Sequence, residues 1–106
     1  MKELEKEFHK KMTEIYDKAK AELDYRANRF KHMVDEYGGY KAAKILLSSR
    51  GVPYGFEELS RYHRQDLTME ALIVENPKFH ELFTKDEIKI AKKRLRDSGY
   101  TPNINY

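Results

Sequence analysis

A chain of 106 residues with no cysteine has room for one domain, and none for a disulfide framework, a thiolate nucleophile or a thiolate metal site. Charged side chains make up 37% of it, yet the net charge is only +3, which argues against both a uniformly basic nucleic-acid binder and an acidic DNA mimic. The opening Met1-Lys2-Glu3-Leu4-Glu5-Lys6-Glu7 mixes charges with no apolar run behind it, unlike a secretory signal, and nothing approaches the roughly 20 apolar residues of a membrane span. The expected setting is the cytoplasm, with no membrane partner.

From Lys2 to Tyr37 there is no Gly and no Pro, and apolar residues recur in steps of three or four from Leu4 through Phe8, Met12, Ile15 and Ala19 to Tyr37. That spacing predicts one long helix with a single stripe, stopped at Gly38-Gly39. A break near Asp24, whose short acid can cap a second piece, is the alternative. An unbroken helix of about 36 residues would span roughly 54 Å. A compact domain of this size is only about 35 Å across. Residues 1–24 are therefore expected to overhang, with Leu4, Phe8, Met12, Ile15 and Ala19 as a self-association surface covered by a second copy or a partner.

Residues 40–50 read as a short helix with Ala43, Ile45, Leu46 and Leu47 inward. Val52-Pro53-Tyr54-Gly55 is a turn, and Phe56 to Tyr62 a brief helix. Thr68 is placed to cap a helix reaching Glu75, which Asn76-Pro77 ends, and a helical turn follows over Lys78 to Phe83. Thr84-Lys85-Asp86-Glu87 is a capping box opening the last helix, whose stripe is Ile88, Ala91 and Leu95 and which Gly99 ends. Period-two alternation is missing, so the fold class is all-α: a long N-terminal helix followed by four or five short packed helices. The organisation is residues 1–24 as overhang, 25–100 as helical domain and 101–106 as a loose polar tail. The expected core is Leu23, Phe30, Val34, Ala43, Leu46, Leu47, Phe56, Leu59, Leu67, Leu72, Phe79, Leu82, Phe83, Ile88, Ala91 and Leu95.

Arg29-Phe30, Met33-Val34, Gly38-Gly39, Ala42-Ala43-Lys44, Gly55-Phe56, Asp66-Leu67-Thr68, Glu70-Ala71-Leu72, Leu82-Phe83-Thr84 and Arg94-Leu95 form a pattern that resembles a family of small bacterial and phage-type helical proteins. The resemblance covers about three quarters of the chain, from Tyr25 to Tyr100, and departs at Arg64-Gln65-Asp66, where the pattern has a Gly-Arg-Leu-Asp type of turn. It implies no particular activity. Small proteins from mobile elements are often inhibitors of bacterial defence, of the anti-CRISPR kind, and that background sets an expectation of protein binding.

Chemistry is thinly supported. The serines have no elbow motif, and Gly38-Gly39 fits no phosphate-binding fingerprint, so no catalytic residue is expected and no cofactor. His32 with Asp35 or Glu36 has helical spacing, but a zinc site needs three or four converging ligands, and no metal is expected. Asp66, Glu70 and Glu75 are the one carboxylate group that could hold Mg²⁺ for nuclease chemistry, although Glu70 also suits the first turn of a helix. Charge is unevenly spread: residues 25–64 are net +4, residues 65–84 net −3 and residues 85–106 net +3. Arg26, Arg29, Lys41, Lys44, Arg50, Arg61 and Arg64 lie in the first zone, interleaved with Tyr40, Tyr54 and Tyr62, which suits phosphate neutralisation with base stacking. Solvated faces paired with internal acids are the plainer account. The sequence thus predicts a non-enzymatic interaction protein with a protein partner, self-associating into a homodimer, and nucleic-acid binding through residues 25–64 as the alternative.

Overall fold

The N-terminal stripe is buried by the chain's own domain. In a computed structural model that describes residues 2–103, the first helix, α1, runs Lys2–Leu23 and stops there. Asp24 takes a left-handed conformation at φ 54°, and the chain is non-helical through Ala27 before α2, Asn28–Tyr37, begins. A short polar side chain tolerates that region better than most residues do. The Tyr25 N–H turns back to the Ala19 carbonyl at 3.3 Å, and the Arg26 guanidinium closes on Asp24 at 3.0 Å.

The break removes the overhang. At 22 residues α1 is about 33 Å long, equal to the longest dimension of the molecule, 33 × 28 × 28 Å. Phe8, Met12 and Ala19 are buried, and Leu4 and Ile15 pack half-buried against the core. The five residues expected to self-associate are thus covered by the chain's own helices, and the expected assembly surface over residues 1–24 is not there to be used. Phe8 sits edge-on against Phe79, ring centroids 5.2 Å apart, and against Phe83 at 5.4 Å. Burial of a side chain that size stabilises the fold by about 2–3 kcal/mol.

Four further helices complete the body: α3, Gly39–Ser48; α4, Tyr54–Arg61; α5, Met69–Glu75; and α6, Lys85–Asp97, with short 3-10 turns at Gln65–Leu67 and Pro77–Leu82. All regular structure among the described residues is helical. The caps are local: the Thr68 hydroxyl accepts from the Ala71 N–H at 3.1 Å, and Thr84 and Glu87 form the reciprocal capping box. The buried centre is α5, with six of its seven residues inside, from Met69 to Val74. A helix apolar nearly all round is a core helix. Of the expected core, Leu23, Phe30, Leu46 and Ile88 are only half-buried, while Ile45 is 39% exposed rather than inward.

Gly38 and Gly39 do separate work. Gly38 takes φ 85°, turning the chain between α2 and α3. Gly39 lets α3 cross α1: a Cβ there would lie 2.7 Å from the His9 Cα. The His9 Nδ1 accepts the Gly39 N–H at 2.8 Å, satisfying a first-turn donor of α3. At the other end of the chain, the Glu75 carboxylate accepts from the Tyr100 hydroxyl and from the Asn103 N–H at 2.8 Å, which ties down the first part of the expected loose tail. Residues 104–106 lie outside the described residues.

Candidate binding pocket

Where α1 ends and the chain doubles back, the helices do not close completely. They leave an open cavity of about 500 Å³. Its back wall is Ile15, Tyr16 and Ala19 of α1. One flank is the link and first turns of α2, from Tyr25 to Phe30 with Met33, and the other is Pro53 to Phe56 with Leu59 of α4. Leu46 and the segment Leu67 to Glu70 form the floor. The lining is mainly apolar and aromatic with a few polar groups, the usual make-up of a ligand site.

Three helix starts meet there, those of α2, α4 and α5. The start of α5 is capped by Thr68. Those of α2 and α4 are preceded by Ala27 and Pro53 and have no side-chain cap, and the first turn of α2 contains no acid. The positive ends of these two helix dipoles therefore lie among residues that line the cavity, with no side-chain cap on their first turns. Arg26 and Arg29 also line it.

Glu70, at the floor, is 3% exposed and takes the Arg94 guanidinium at 2.9 Å. Burial pushes its carboxyl up, against the pull of its own backbone N–H and of Arg94. Arg94 also donates to the carbonyls of Leu46 at 3.2 Å, Ser49 at 3.4 Å and Gly51 at 3.2 Å. It so closes the C-terminal end of α3 and fixes the loop before α4. At the mouth stand tyrosines. Tyr54, at the start of α4 and in the cavity lining, is 65% exposed, and Tyr62, just past the other end of α4, is 49% exposed. The Tyr25 ring lies 6.3 Å from that of Tyr62, and burial, with Glu58 next, raises the Tyr25 hydroxyl's pKa.

The predicted basic zone is divided by the pocket and by its own ion pairs. Arg26 and Arg29 come together at the pocket; Lys41, Lys44, Arg50, Arg61 and Arg64 do not line it. Four of the seven cations are held by acids: Arg26 by Asp24, Lys44 by Glu87 at 2.7 Å, Arg61 by Glu58 at 3.0 Å, and Arg64 by Glu22 at 2.7 Å and Asp66 at 3.0 Å. Hydrogen bonds to Asp66 and Glu22 hold the Arg64 pKa well above its ordinary value. Among the described residues, Arg29, Lys41 and Arg50 have no ion-pair partner.

The carboxylates considered for Mg²⁺ do not converge. Asp66 faces Arg64, Glu70 is sealed against Arg94, and Glu75 holds Tyr100. That geometry removes the nuclease reading built on Asp66 and Glu70. His32 pairs with Glu36 at 2.9 Å, and Asp35 with Lys31 at 2.6 Å. Among the described residues no three His, Asp or Glu side chains gather as metal ligands, and no helix is long and apolar enough to cross a membrane. Tyr16, Tyr25, Phe30, Met33 and the Glu70–Arg94 pair were not singled out as site residues by the sequence. The one signal pointing to them is negative: Ala27 and Pro53 stand where a capping residue would be expected.

Compared with protein-family models, with curated proteins and with solved structures, the chain matches none.

Proposed function

We propose that this is a non-enzymatic interaction protein that recognises a partner protein through the tyrosine- and arginine-rich rim of the pocket. The observation that carries the reading is the exposure of Tyr54, which starts α4 and lines an open apolar cavity, at 65%, and of Tyr62, just past the end of α4 and 6.3 Å from the cavity-lining Tyr25 ring, at 49%. Tyr and Arg are, with Trp, the side chains most enriched where binding energy concentrates: Tyr brings large amphipathic area with few rotatable bonds, and Arg a planar guanidinium with several donors. In its finer form the reading makes the protein a small inhibitor of a bacterial defence system, carried by a phage or mobile element and acting by occupying a partner's surface. The resemblance to phage-type proteins supports that setting, and the aromatic rim supports that mode of action.

Nucleic-acid binding has less behind it, since Arg26, Lys44, Arg61 and Arg64 are already neutralised within the fold. Both side chains of the rim are exposed, so Tyr54→Ser with Tyr62→Ser leaves the fold intact and should weaken partner binding about tenfold or more. The measurement is quantitative co-purification from a native host lysate, wild type against variant, with circular dichroism as the folding control. Partners retained equally by both proteins would refute the reading. A ligand population made up of nucleic acid, released steeply by salt, would replace it with the alternative.

A further inference from the structure

The pocket has its own chemistry, distinct from that of its rim. We propose that the cavity is a binding site for a small amphipathic carboxylate, an apolar chain or ring bearing one anionic head, with the head held by Arg29. This goes beyond partner recognition and does not depend on it.

The volume of about 500 Å³ lies in the range of small-ligand sites, roughly 300–1,000 Å³. Ile15, Ala19, Phe30, Met33, Phe56 and Leu59 offer no hydrogen bonds from their side chains, so the interior is suited to an apolar body. Charge decides the head group. Arg29 is exposed, lines the cavity, and has no ion-pair partner among the described residues, whereas Arg26 beside it is held by Asp24 at 3.0 Å. Arg29 also stands in the first turn of α2, where a cation opposes the helix dipole and no acid offsets it. An anion bound at that point relieves both, and a guanidinium takes a carboxylate in two parallel hydrogen bonds.

A cationic ligand is the rival, because Tyr16, Tyr25 and Tyr54 line the same cavity and aromatic faces attract cations. The acid that would complete such a site is Glu70, and its charge is matched by Arg94 at 2.9 Å from behind the floor. The uncompensated charge at the cavity is therefore positive.

Three probes built on a ten-carbon chain, the carboxyl carbon included, separate the cases: decanoate, decanol and decyltrimethylammonium, each titrated below micelle formation and followed by calorimetry and backbone amide shifts. Decanoate should bind most tightly, with saturable shifts centred on Phe30, Met33 and Gly55. Arg29→Gln should bring decanoate down roughly tenfold, to the level of decanol, and leave decanol unchanged. Arg29→Glu, which suits the helix dipole and so does not threaten folding, should move the preference toward decyltrimethylammonium. Equal affinity for decanoate and decanol in the wild type, shifts centred elsewhere, or no saturable binding of decanoate overturns the proposal. All these readouts are made without a partner protein, so their failure leaves the reading of Tyr54 and Tyr62 standing.

Discussion

The two sides of the start of α5 show two ways of treating a helix start and a charge. Toward α6 everything is matched: Thr68 caps α5, Glu70 meets Arg94, and Arg94 fills its remaining donors with the carbonyls of Leu46, Ser49 and Gly51. Toward α1, α2 and α4 the matching stops. Two helix starts go uncapped, Arg29 is left without an acid, and the side chains leave a cavity of about 500 Å³. A buried charge left unmatched costs several kcal/mol, whereas an unmatched charge beside water costs little and stays available to a ligand. The closed half supplies the stability that the open half does without.

The comparison breaks most sharply at Arg94. Arg94→Ala leaves the Glu70 carboxylate buried and alone, and chemical denaturation should show a loss of about 3–5 kcal/mol. The double variant Arg94→Met with Glu70→Leu should recover most of it, because no charge is then left buried without its partner. Recovery of less than half would assign the loss to the three carbonyls that Arg94 also holds.

Crossing geometry comes next. Gly39→Ala places a methyl 2.7 Å from the backbone of His9, so α1 and α3 must part. The expected cost in thermal or chemical unfolding is about 1–3 kcal/mol. The same change at Gly38 meets no atom within 4 Å and is penalised only by its φ of 85°.

The smallest effect is pH-dependent. At Glu87 burial raises the carboxyl, but the Lys44 ammonium at 2.7 Å and the Thr84 N–H at 2.8 Å outweigh it, so the folded pKa lies below the ordinary glutamate value. That stabilisation is present above the unfolded pKa and is lost as pH falls through the lowered one. Glu87→Gln should therefore cost about 1 kcal/mol at neutral pH, with wild type and variant converging in acid. Glu70 has the opposite sign, its carboxyl raised by burial, and should not add to the acid-induced loss.

What the sequence disclosed followed the range of the interactions. Thr68 with Ala71 and Thr84 with Glu87 are contacts across three residues, so both caps were legible from composition and order alone. The break after Leu23 was legible only as the alternative that the short acid of Asp24 offered, because no Gly or Pro marks it and the apolar steps run on through Leu23, Ala27 and Phe30 as though the helix continued. The overhang followed from that unbroken stripe and fell with it. Glu70 and Arg94 were hidden for another reason. An acid in a first turn and a base in a last turn each satisfy the helix dipole locally, so neither residue advertises a partner 24 positions away. Arg26 and Arg29 were named in advance as binding residues, but the cavity they share with α4 exists only once the chain has doubled back.

The guanidinium of Arg94 sets an order of events. It joins residues 46, 49, 51 and 70, all of which leave the ribosome before it does. Synthesis proceeds from the N-terminus, so the first five helices can be made while the loop ahead of α4 is still unpinned. The wall formed by Pro53 to Phe56 takes its final position only when the last helix docks. A chain truncated before residue 94 would thus lose the shape of a pocket to which the missing segment contributes no lining residue.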